Sequence, residues 1–389
     1  MSRLTIATVR RIGGTALIAL ILGACSQATP PAPTSAPIEA TQAPAATTAP
    51  PTAEPTLEAS TAPPTSLPEP TSIPATAEPT IPAATPAPTG LAGSLVRGTV
   101  TKRPYVIMID NHPNAYPQSG MNESALVFEA LAEFGVTRFM VVYAPGITPE
   151  VDKIGPVRST RLYFAQWALA FGGMYAHAGG SPQGLQLVES TDQLVNLDAL
   201  VRANTGYFRR SETRKAPHNL YTSTAEIAVA ASDLDADAAT RDDIGYLFKD
   251  DAPAAERPAS QQLSYFFLYR EDSAGWVYDP DTNGYWRLRR GKAAVDADTG
   301  EQLTAKNVVV IEVKEAPIAG DAKGRIEQEV VGSGLARVFL DGVEREVTWR
   351  KDTPEAPLLF LDSNGQEVRF NPGRIWIVAL PSLDNLATS

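Results

Sequence analysis

The stretch RPYVIMIDNH, residues 103–112, places an apolar run between a proline and a polar cluster. An apolar run closed by polar residues and a proline turn is typical of a buried β-strand. In this interpretation the strand ends at Asp110, and Asn111 and His112 follow directly. The stretch therefore predicts a strand inside the protein with three polar side chains at its carboxyl end.

Helical and strand patterns alternate after this first strand. The predicted elements are a helix over 123–134, a strand over 136–143, a helix over 158–171, a strand over 174–178 and helices that begin at Ser181 and near Ser223. Asn122 suits the N-cap of the first helix and Gly135 its end. Pro182 suits the first position of the third helix, and Ser-Thr-Ala-Glu at the start of the last is a capping box. The alternation predicts an α/β domain over residues 97–255.

Residues 260–381 change to aromatic and β-branched runs separated by turn signals. Strands are predicted over 263–269, 284–288, 308–313, 336–340, 344–349, 358–361, 367–370 and 375–380. Asp341-Gly342 and Asn364-Gly365 are hairpin turns of the kind that tolerates positive φ. The pattern predicts a second, mostly antiparallel β domain.

The tryptophans of this second domain allow two interpretations. Trp276, Trp286, Trp349 and Trp376 could form a face on which sugar rings stack, or they could anchor the core. Trp349 and Trp376 each interrupt an apolar strand, which favours the core for those two residues.

The three histidines of the protein all fall in the predicted α/β domain, just beyond an apolar segment or in a polar loop. Open α/β sheets bind ligands at the carboxyl ends of their strands, so we expect the polar residues at these positions to share one site. The residues predicted to bind a ligand are Asp110, Asn111, His112, Arg158, Ser159, Arg161, His177, Gly179, Gly180, Ser181, His218 and Asn219.

The residue types around the histidines suit an anion. Glycines let backbone amides approach a ligand, and the helix start after Ser181 offers N–H groups. Arg158 and Arg161 carry planar guanidinium groups that match carboxylate or phosphate. Each signal has a structural alternative: hydrogen-bonded structural histidines, an ordinary helix entry, and arginines that pair with Glu129 or Glu133.

Many of these motifs, in the same order, resemble the YerB-like family of bacterial lipoproteins. The stretches that carry the resemblance are 103–112, 117–120, 128–130, 135–139, 155–159, 177–181, 216–221, 332–336 and 372–376. It covers about residues 97–381. The resemblance implies an N-terminal and a distinct C-terminal domain, catalogued as a domain of unknown function, and supplies no catalytic residue.

Residues 1–24 have the pattern of a signal peptide. Arginines without an acid precede a short apolar run over 12–22, which falls well below the roughly 20 residues that a membrane-spanning helix needs. Leu-Gly-Ala before Cys25 matches a lipoprotein signal, in which the thiol is acylated and cleavage leaves Cys25 first; an ordinary secretory signal is the alternative. Two or more acyl chains hold a protein durably on a membrane. This predicts attachment to the lipid bilayer at the extracytoplasmic face of the cell membrane.

Cys25 is the only cysteine in the chain, which excludes intramolecular disulfides, cysteine nucleophiles and thiolate metal sites. Residues 25–96 are predicted to be a disordered Pro/Thr/Ala tether, since 26–90 holds 17 of the 33 prolines and no aromatic residue. Without the three signal arginines and the five tether glutamates, the net charge of −11 becomes −9. An acidic head is a poor match for the phosphate backbone, so no nucleic-acid partner is predicted.

Two functional hypotheses remain open. The sequence contains no P-loop, nucleophile elbow, zinc-protease motif or dinucleotide fingerprint, and no cofactor or metal is predicted. The first hypothesis is a binding protein for an anionic cell-wall component or envelope partner, with the β domain used in assembly. The second is a cell-envelope hydrolase in which Asp110 orients His112, His177 or His218 as a base. Asp110 paired with arginine in a shallow groove would favour binding; Asp110 paired with an imidazole at an open pocket would favour catalysis.

The anchor hypothesis is tested by Cys25→Ser. Because this variant has no thiol to acylate, we expect it to leave the membrane fraction or to retain its signal peptide, as measured by fractionation and intact mass. Unchanged mass together with unchanged membrane association would contradict the anchor.

Overall fold

The computed structural model describes residues 90–389, so the predicted signal peptide, Cys25 and residues 25–89 of the predicted tether lie outside the described residues. The folded part includes residues before the predicted boundary at 97. Leu95 is buried, and Val96 forms a bridge with Tyr246. None of the helices in 90–389 is long and apolar enough to cross a membrane.

The first half of the fold combines strands and helices. The helices are α1 (Leu162–Leu169), α2 (Pro182–Glu189) and α3 (Thr224–Asp233). The strands are β1 (Tyr105–Asp110), β2 (Leu126–Glu133), β3 (Val136–Tyr143), β4 (Met174–His177), β5 (Val195–Asp198), β6 (Arg209–Arg210), β7 (Leu220–Tyr221) and β8 (Leu247–Phe248).

The second half consists of strands with short 3₁₀ turns between them. The strands are β9 (Gln262–Tyr265), β10 (Ala274–Asp279), β11 (Gly284–Arg289), β12 (Lys292–Ala293), β13 (Thr304–Ala305), β14 (Asn307–Glu312), β15 (Glu315–Pro317), β16 (Ile326–Gln328), β17 (Gly332–Leu340), β18 (Val343–Lys351), β19 (Leu359–Leu361), β20 (Arg369–Phe370), β21 (Ile375–Leu380) and β22 (Leu386–Thr388).

A ten-stranded mixed sheet runs through both predicted domains in the order β19-β18-β17-β14-β21-β2-β3-β1-β4-β5. β21 lies in its centre and pairs in parallel with β14 on one side and with β2 on the other. The smaller sheet, β12-β11-β10-β9-β22 with β13 beside β11, is antiparallel. The predicted fold class, α/β followed by a mostly antiparallel β region, is therefore confirmed for the described part of the chain.

The alternation of side chains along β1 shows how the layers pack. Val106 and Met108 belong to the apolar cluster that contains α1, whereas Ile107 and Ile109 belong to the cluster with α3 and the smaller sheet. Successive side chains of a strand point to opposite faces. Both faces of the large sheet are therefore covered, which explains why the run over 105–109 is apolar without alternation.

The predicted helix over 123–134 is wrong. Residues 126–133 form strand β2 between β21 and β3, and the first seven of its eight side chains are buried. Leu, Ala and Glu favour helices in isolation, but a strand covered on both faces carries no period-two signal that would reveal it. The helix over 158–171 is confirmed only from Leu162, because Val157 and Thr160 form bridges with Ile109 and Gly180.

Other local predictions are confirmed in detail. Ser181 caps α2 by accepting a hydrogen bond from Gly184 N, and Ser223 caps α3 through Glu226 N. The Asp341-Gly342 turn joins β17 to β18 with positive φ at both residues. Trp276, Trp349 and Trp376 are core residues, whereas Trp286 is half-buried.

A buried ion pair joins the two sheets. Glu129 on β2 accepts two hydrogen bonds of 2.9 Å from Arg287 on β11, and both side chains are almost fully buried. The Tyr265 hydroxyl and the Trp376 indole N–H each donate to Glu129 Oε2 at 3.1 Å. The Arg287 guanidinium also stacks 4.4 Å from the centre of the Trp376 ring. Hydrogen bonds and the ring contact therefore compensate both charges of the pair. Without such partners, burial of a charge would be strongly unfavourable.

Glu129→Ala should lower the free energy of unfolding by about 3–5 kcal/mol, because it leaves the Arg287 charge buried without a carboxylate. Urea denaturation measures the loss. Glu327→Ala, at an exposed glutamate on β16, serves as the control and should change stability by less than about 0.5 kcal/mol. Equal stabilities of the two variants would contradict the role given to the pair.

Candidate functional site

Strands β1, β4 and β5 are parallel neighbours, so their carboxyl ends lie at one edge of the large sheet. Asp110 ends β1 and His177 ends β4, as the sequence predicts. The segment with Arg158 runs beside them: Arg158 N donates to Met108 O, and Ala178 N donates to Arg158 O. The topology therefore brings three of the predicted segments to the same edge.

Asp110 is the centre of a four-residue cluster. Its buried carboxylate accepts from His218 Nδ1 at 2.7 Å and from Arg158 Nε at 3.1 Å through Oδ2, and from the His112 backbone N–H at 3.1 Å through Oδ1. Burial alone would raise the pKa of Asp110, but Arg138, the His218 bond and Arg158 outweigh it and lower the pKa. Asp110 is therefore a carboxylate at neutral pH.

The hydrogen bonds fix the tautomers of two histidines. Because Asp110 accepts from His218 Nδ1–H, Nε2 of neutral His218 is a proton acceptor. His112 Nδ1 accepts from Asn114 N, so its Nε2 carries the hydrogen. The two rings stack with centroids 4.5 Å apart and planes 15° apart. Partial burial, then the nearby His218 and Arg158, lower the pKa of His112 although Asp110 opposes them.

Arg158 is held at one end and open at the other. Its Nε binds Asp110, and its side chain keeps 25% of its accessible surface. Within residues 90–389, the Arg158 side chain makes one hydrogen bond, from Nε. Its two terminal amino groups make none and remain accessible. The cluster therefore combines a guanidinium that Asp110 orients with two stacked imidazole rings.

His177 is not part of this cluster. The side chain is fully buried; Nδ1 lies 3.0 Å from the Gly179 carbonyl oxygen, to which it donates, and Nε2 lies 3.0 Å from the Asn196 side-chain amide. Burial lowers the pKa of His177 and favours the neutral ring, in which Nε2 accepts from the Asn196 amide nitrogen once that amide is turned by 180°. The expectation that all three histidines meet in one cleft is therefore met by His112 and His218 alone.

The remaining predicted residues bond within the protein. Arg161 and Arg138 both pair with Glu133, so the structural alternative holds for Arg161 and not for Arg158. The other predicted residues also contact protein groups: the Ser159 carbonyl accepts from Arg138, Asn111 bonds Thr137, Gln118 and Arg289, and Asn219 bonds Arg210 and Ser211. Gly179 N donates to Asp198, Gly180 forms a bridge with Thr160, and Ser181 accepts from Gly184 N. These residues shape the edge and leave few groups free for a ligand.

Sequence reasoning missed two residues that hold the site. Arg138 lies opposite Asp110 in the β1–β3 register and is almost completely buried. Asp198 ends β5 and accepts from Gly179 N at 2.8 Å, where positive φ requires glycine. A charged residue inside the apolar run VTRFMVVY was the available signal for Arg138. In the part of the chain that the structure describes, no three His, Cys, Asp or Glu residues form a group that could hold a metal ion.

The ten-stranded mixed sheet, with helices in its first half and a smaller antiparallel sheet in its second, is an α/β fold. Residues 89–237 match the N-terminal domain, and 264–377 the C-terminal domain, of the family described as protein of unknown function (DUF3048). The chain belongs to this family, which confirms the resemblance to YerB-like proteins.

Two comparisons support the assignment. The putative lipoprotein YerB of Bacillus subtilis (strain 168) is 30% identical over 300 residues, which cover 74% of this chain and 84% of the relative. The crystal structure of the YerB protein from Bacillus subtilis matches with a TM-score of 0.66 and 27% identity, over 78% of this chain and 99% of that one.

His177→Ala should destabilise the protein by about 1–3 kcal/mol, because it leaves the Asn196 side-chain amide and the Gly179 carbonyl without their buried partner. The lowered pKa gives this effect a pH dependence. Below about pH 6.5 the unfolded histidine gains a proton that the folded one resists, so the stabilisation is lost as pH falls through the folded pKa. The difference between wild type and variant should therefore be smaller at pH 5 than at pH 7.

Urea denaturation at the two pH values measures this difference, with Glu327→Ala, at an exposed position of β16, as the control. A His177→Ala variant as stable as wild type at pH 7 would show that the buried contacts of His177 contribute nothing.

Proposed function

We propose that this protein is an extracytoplasmic lipoprotein, anchored through acylated Cys25, that binds an anionic group of a cell-envelope component or partner at Asp110, His112, Arg158 and His218. The anchor is supported by the signal pattern before Cys25 and by the name of the Bacillus subtilis relative, putative lipoprotein YerB. The binding site is supported by the geometry of the cluster.

The observation that carries the proposal is the Asp110–Arg158 contact. A buried carboxylate that holds Nε fixes the plane of the guanidinium before a ligand arrives, which reduces the entropy lost on binding. The two terminal amino groups then present parallel N–H donors, the geometry that a carboxylate or phosphate accepts. His112 Nε2–H adds a third donor, since its Nδ1 is already an acceptor.

A specific observation also favours hydrolysis as a second candidate. The 2.7 Å bond from His218 Nδ1 to Asp110 leaves Nε2 as a base, the arrangement in which a carboxylate orients a catalytic imidazole. Turnover of p-nitrophenyl acetate or p-nitrophenyl phosphate that is lost in both Asp110→Asn and His218→Ala would favour this candidate over binding alone.

The binding proposal is tested by NMR of the histidine Cε1–H signals, of which the full chain has three. Inorganic phosphate at millimolar concentration should shift the signals of His112 and His218 and leave the buried His177 signal as an internal reference. His112→Gln and His218→Gln assign the signals. Arg158→Ala should abolish the shifts, because it removes the only guanidinium of the cluster with free terminal groups.

Arg158→Lys is the matched control for charge. Because lysine lacks the planar pair of donors and the Nε contact with Asp110, it should retain only a weak response. The proposal fails if phosphate and acetate both leave the His112 and His218 signals unmoved, or if Arg158→Ala responds like wild type.

A further inference from the structure

A groove of about 1120 Å³ lies at the other edge of the large sheet. Its walls include Glu123 just before β2, Lys306 just before β14 and Arg374 just before β21, all at the amino ends of parallel strands. The Asp110 cluster lies at the carboxyl ends, so the two sites are separate. The volume is slightly above the range of about 300–1,000 Å³ of small-molecule pockets, which suits a ligand of several linked units.

One aromatic side chain lies in the groove wall with a fixed orientation. Trp286 on β11 is half-buried, and its indole N–H donates to Asp279 Oδ2 at 3.2 Å. The other four tryptophans, Trp167, Trp276, Trp349 and Trp376, are buried in the core. A tryptophan that is half-exposed and held by its polar edge offers the flat apolar face on which a ring can stack.

Both cations in the groove wall, Lys306 and Arg374, are already bound to protein groups. Lys306 Nζ binds Asp251 Oδ2 at 2.6 Å and the Thr282 carbonyl at 3.1 Å. The Arg374 guanidinium binds the Ser124 carbonyl at 3.1 Å and Asn122 Oδ1 at 3.0 Å, and also the Thr304 carbonyl. Two acids, Glu123 and Glu301, also line the walls. Charge therefore disfavours phosphate, carboxylate or an acidic polymer here.

The other polar groups are neutral donors and acceptors. The groove is lined by hydroxyl and amide side chains of Thr282, Gln302 and Thr304. Oε2 of Glu123 is buried and has no hydrogen-bond partner in residues 90–389. Burial, with smaller contributions from Asp296 and Glu301, raises the pKa of Glu123, and its carboxyl group can hydrogen-bond hydroxyl groups of a ligand.

We propose that this groove binds a neutral, polyhydroxylated chain, an oligosaccharide, with one sugar ring stacked on Trp286 and with hydroxyl groups bonded to Glu123. A sugar ring combines an apolar face with a rim of hydroxyls, and the groove provides the complement of both. An anionic ligand would meet Glu123 and Glu301, and Lys306 is already paired with Asp251. A polyproline segment, which has no backbone N–H donors, would use the aromatic face and leave the Glu123 carboxyl without a donor.

The test uses the full chain and two neutral hexasaccharides, chitohexaose and maltohexaose. Binding of either should change the tryptophan fluorescence, because Trp286 is the one tryptophan outside the core, and calorimetry should give a matching affinity. Trp286→Ala and Glu123→Gln should each weaken binding by about tenfold or more, whereas Trp286→Phe, which keeps a flat ring, should restore most of it. The NMR signals of His112 and His218 should not move.

Tyr269→Ala is the matched control, since Tyr269 is an exposed aromatic residue outside the groove, and it should bind as wild type does. Melting temperatures identify any variant that has lost its fold, in which case Trp286→Phe and Glu123→Gln carry the test. The proposal is overturned if neither hexasaccharide binds, or if binding is unaffected in all groove variants. Binding of a proline decamer at this groove in place of the sugars would assign it to a polypeptide and overturn it as well.

Discussion

The Glu129–Arg287 pair is the constraint around which the two halves of the fold are arranged. A carboxylate in the middle of a covered strand is tolerated only with a full set of donors, and Arg287, Tyr265 and Trp376 supply them from the smaller sheet and from β21. These partners come from three separate segments. Their geometry therefore fixes how the smaller sheet lies on the large one, and with it the edges where both candidate sites lie.

Asp110 is a second buried carboxylate whose charge is compensated by donors of the protein. There the buried carboxylate uses only part of the hydrogen-bonding capacity of its partners: Arg158 bonds it through Nε alone, and the side chains of Arg158 and His218 stay partly exposed. Arg138, opposite Asp110 on strand β3, pairs with Glu133 and lowers the pKa of Asp110. The partners of Glu129 use their hydrogen bonds within the protein, so this pair is structural. The partners of Asp110 use only some of theirs, which leaves groups available for binding.

The sequence predicted what local chemistry determines. The strand that ends at Asp110, the caps at Ser181 and Ser223 and the turn at Asp341-Gly342 each depend on residues close in the chain. The strand β2 was mistaken for a helix because its apolar and helix-favouring composition depends on burial between strands far away in sequence. At the site, a shared position for Asp110, Arg158 and His218 was predicted from polar residues at a strand end, at the start of a helix and in a loop. The burial of His177 was not, because it depends on Asn196 and the Gly179 carbonyl, which local sequence does not place.

The central position of β21 has a consequence for how the protein folds. Residues 375–380 fill the gap between β2 and β14, so until they arrive each of those strands has one unpaired edge. Pairing across about 250 residues of sequence gives the sheet a high contact order. High contact order slows folding and prolongs the lifetime of partly folded, aggregation-prone states. The first half of the chain made alone would present β2 as an open, apolar edge to other molecules. Completion of the sheet is therefore a late event that waits for nearly the whole chain.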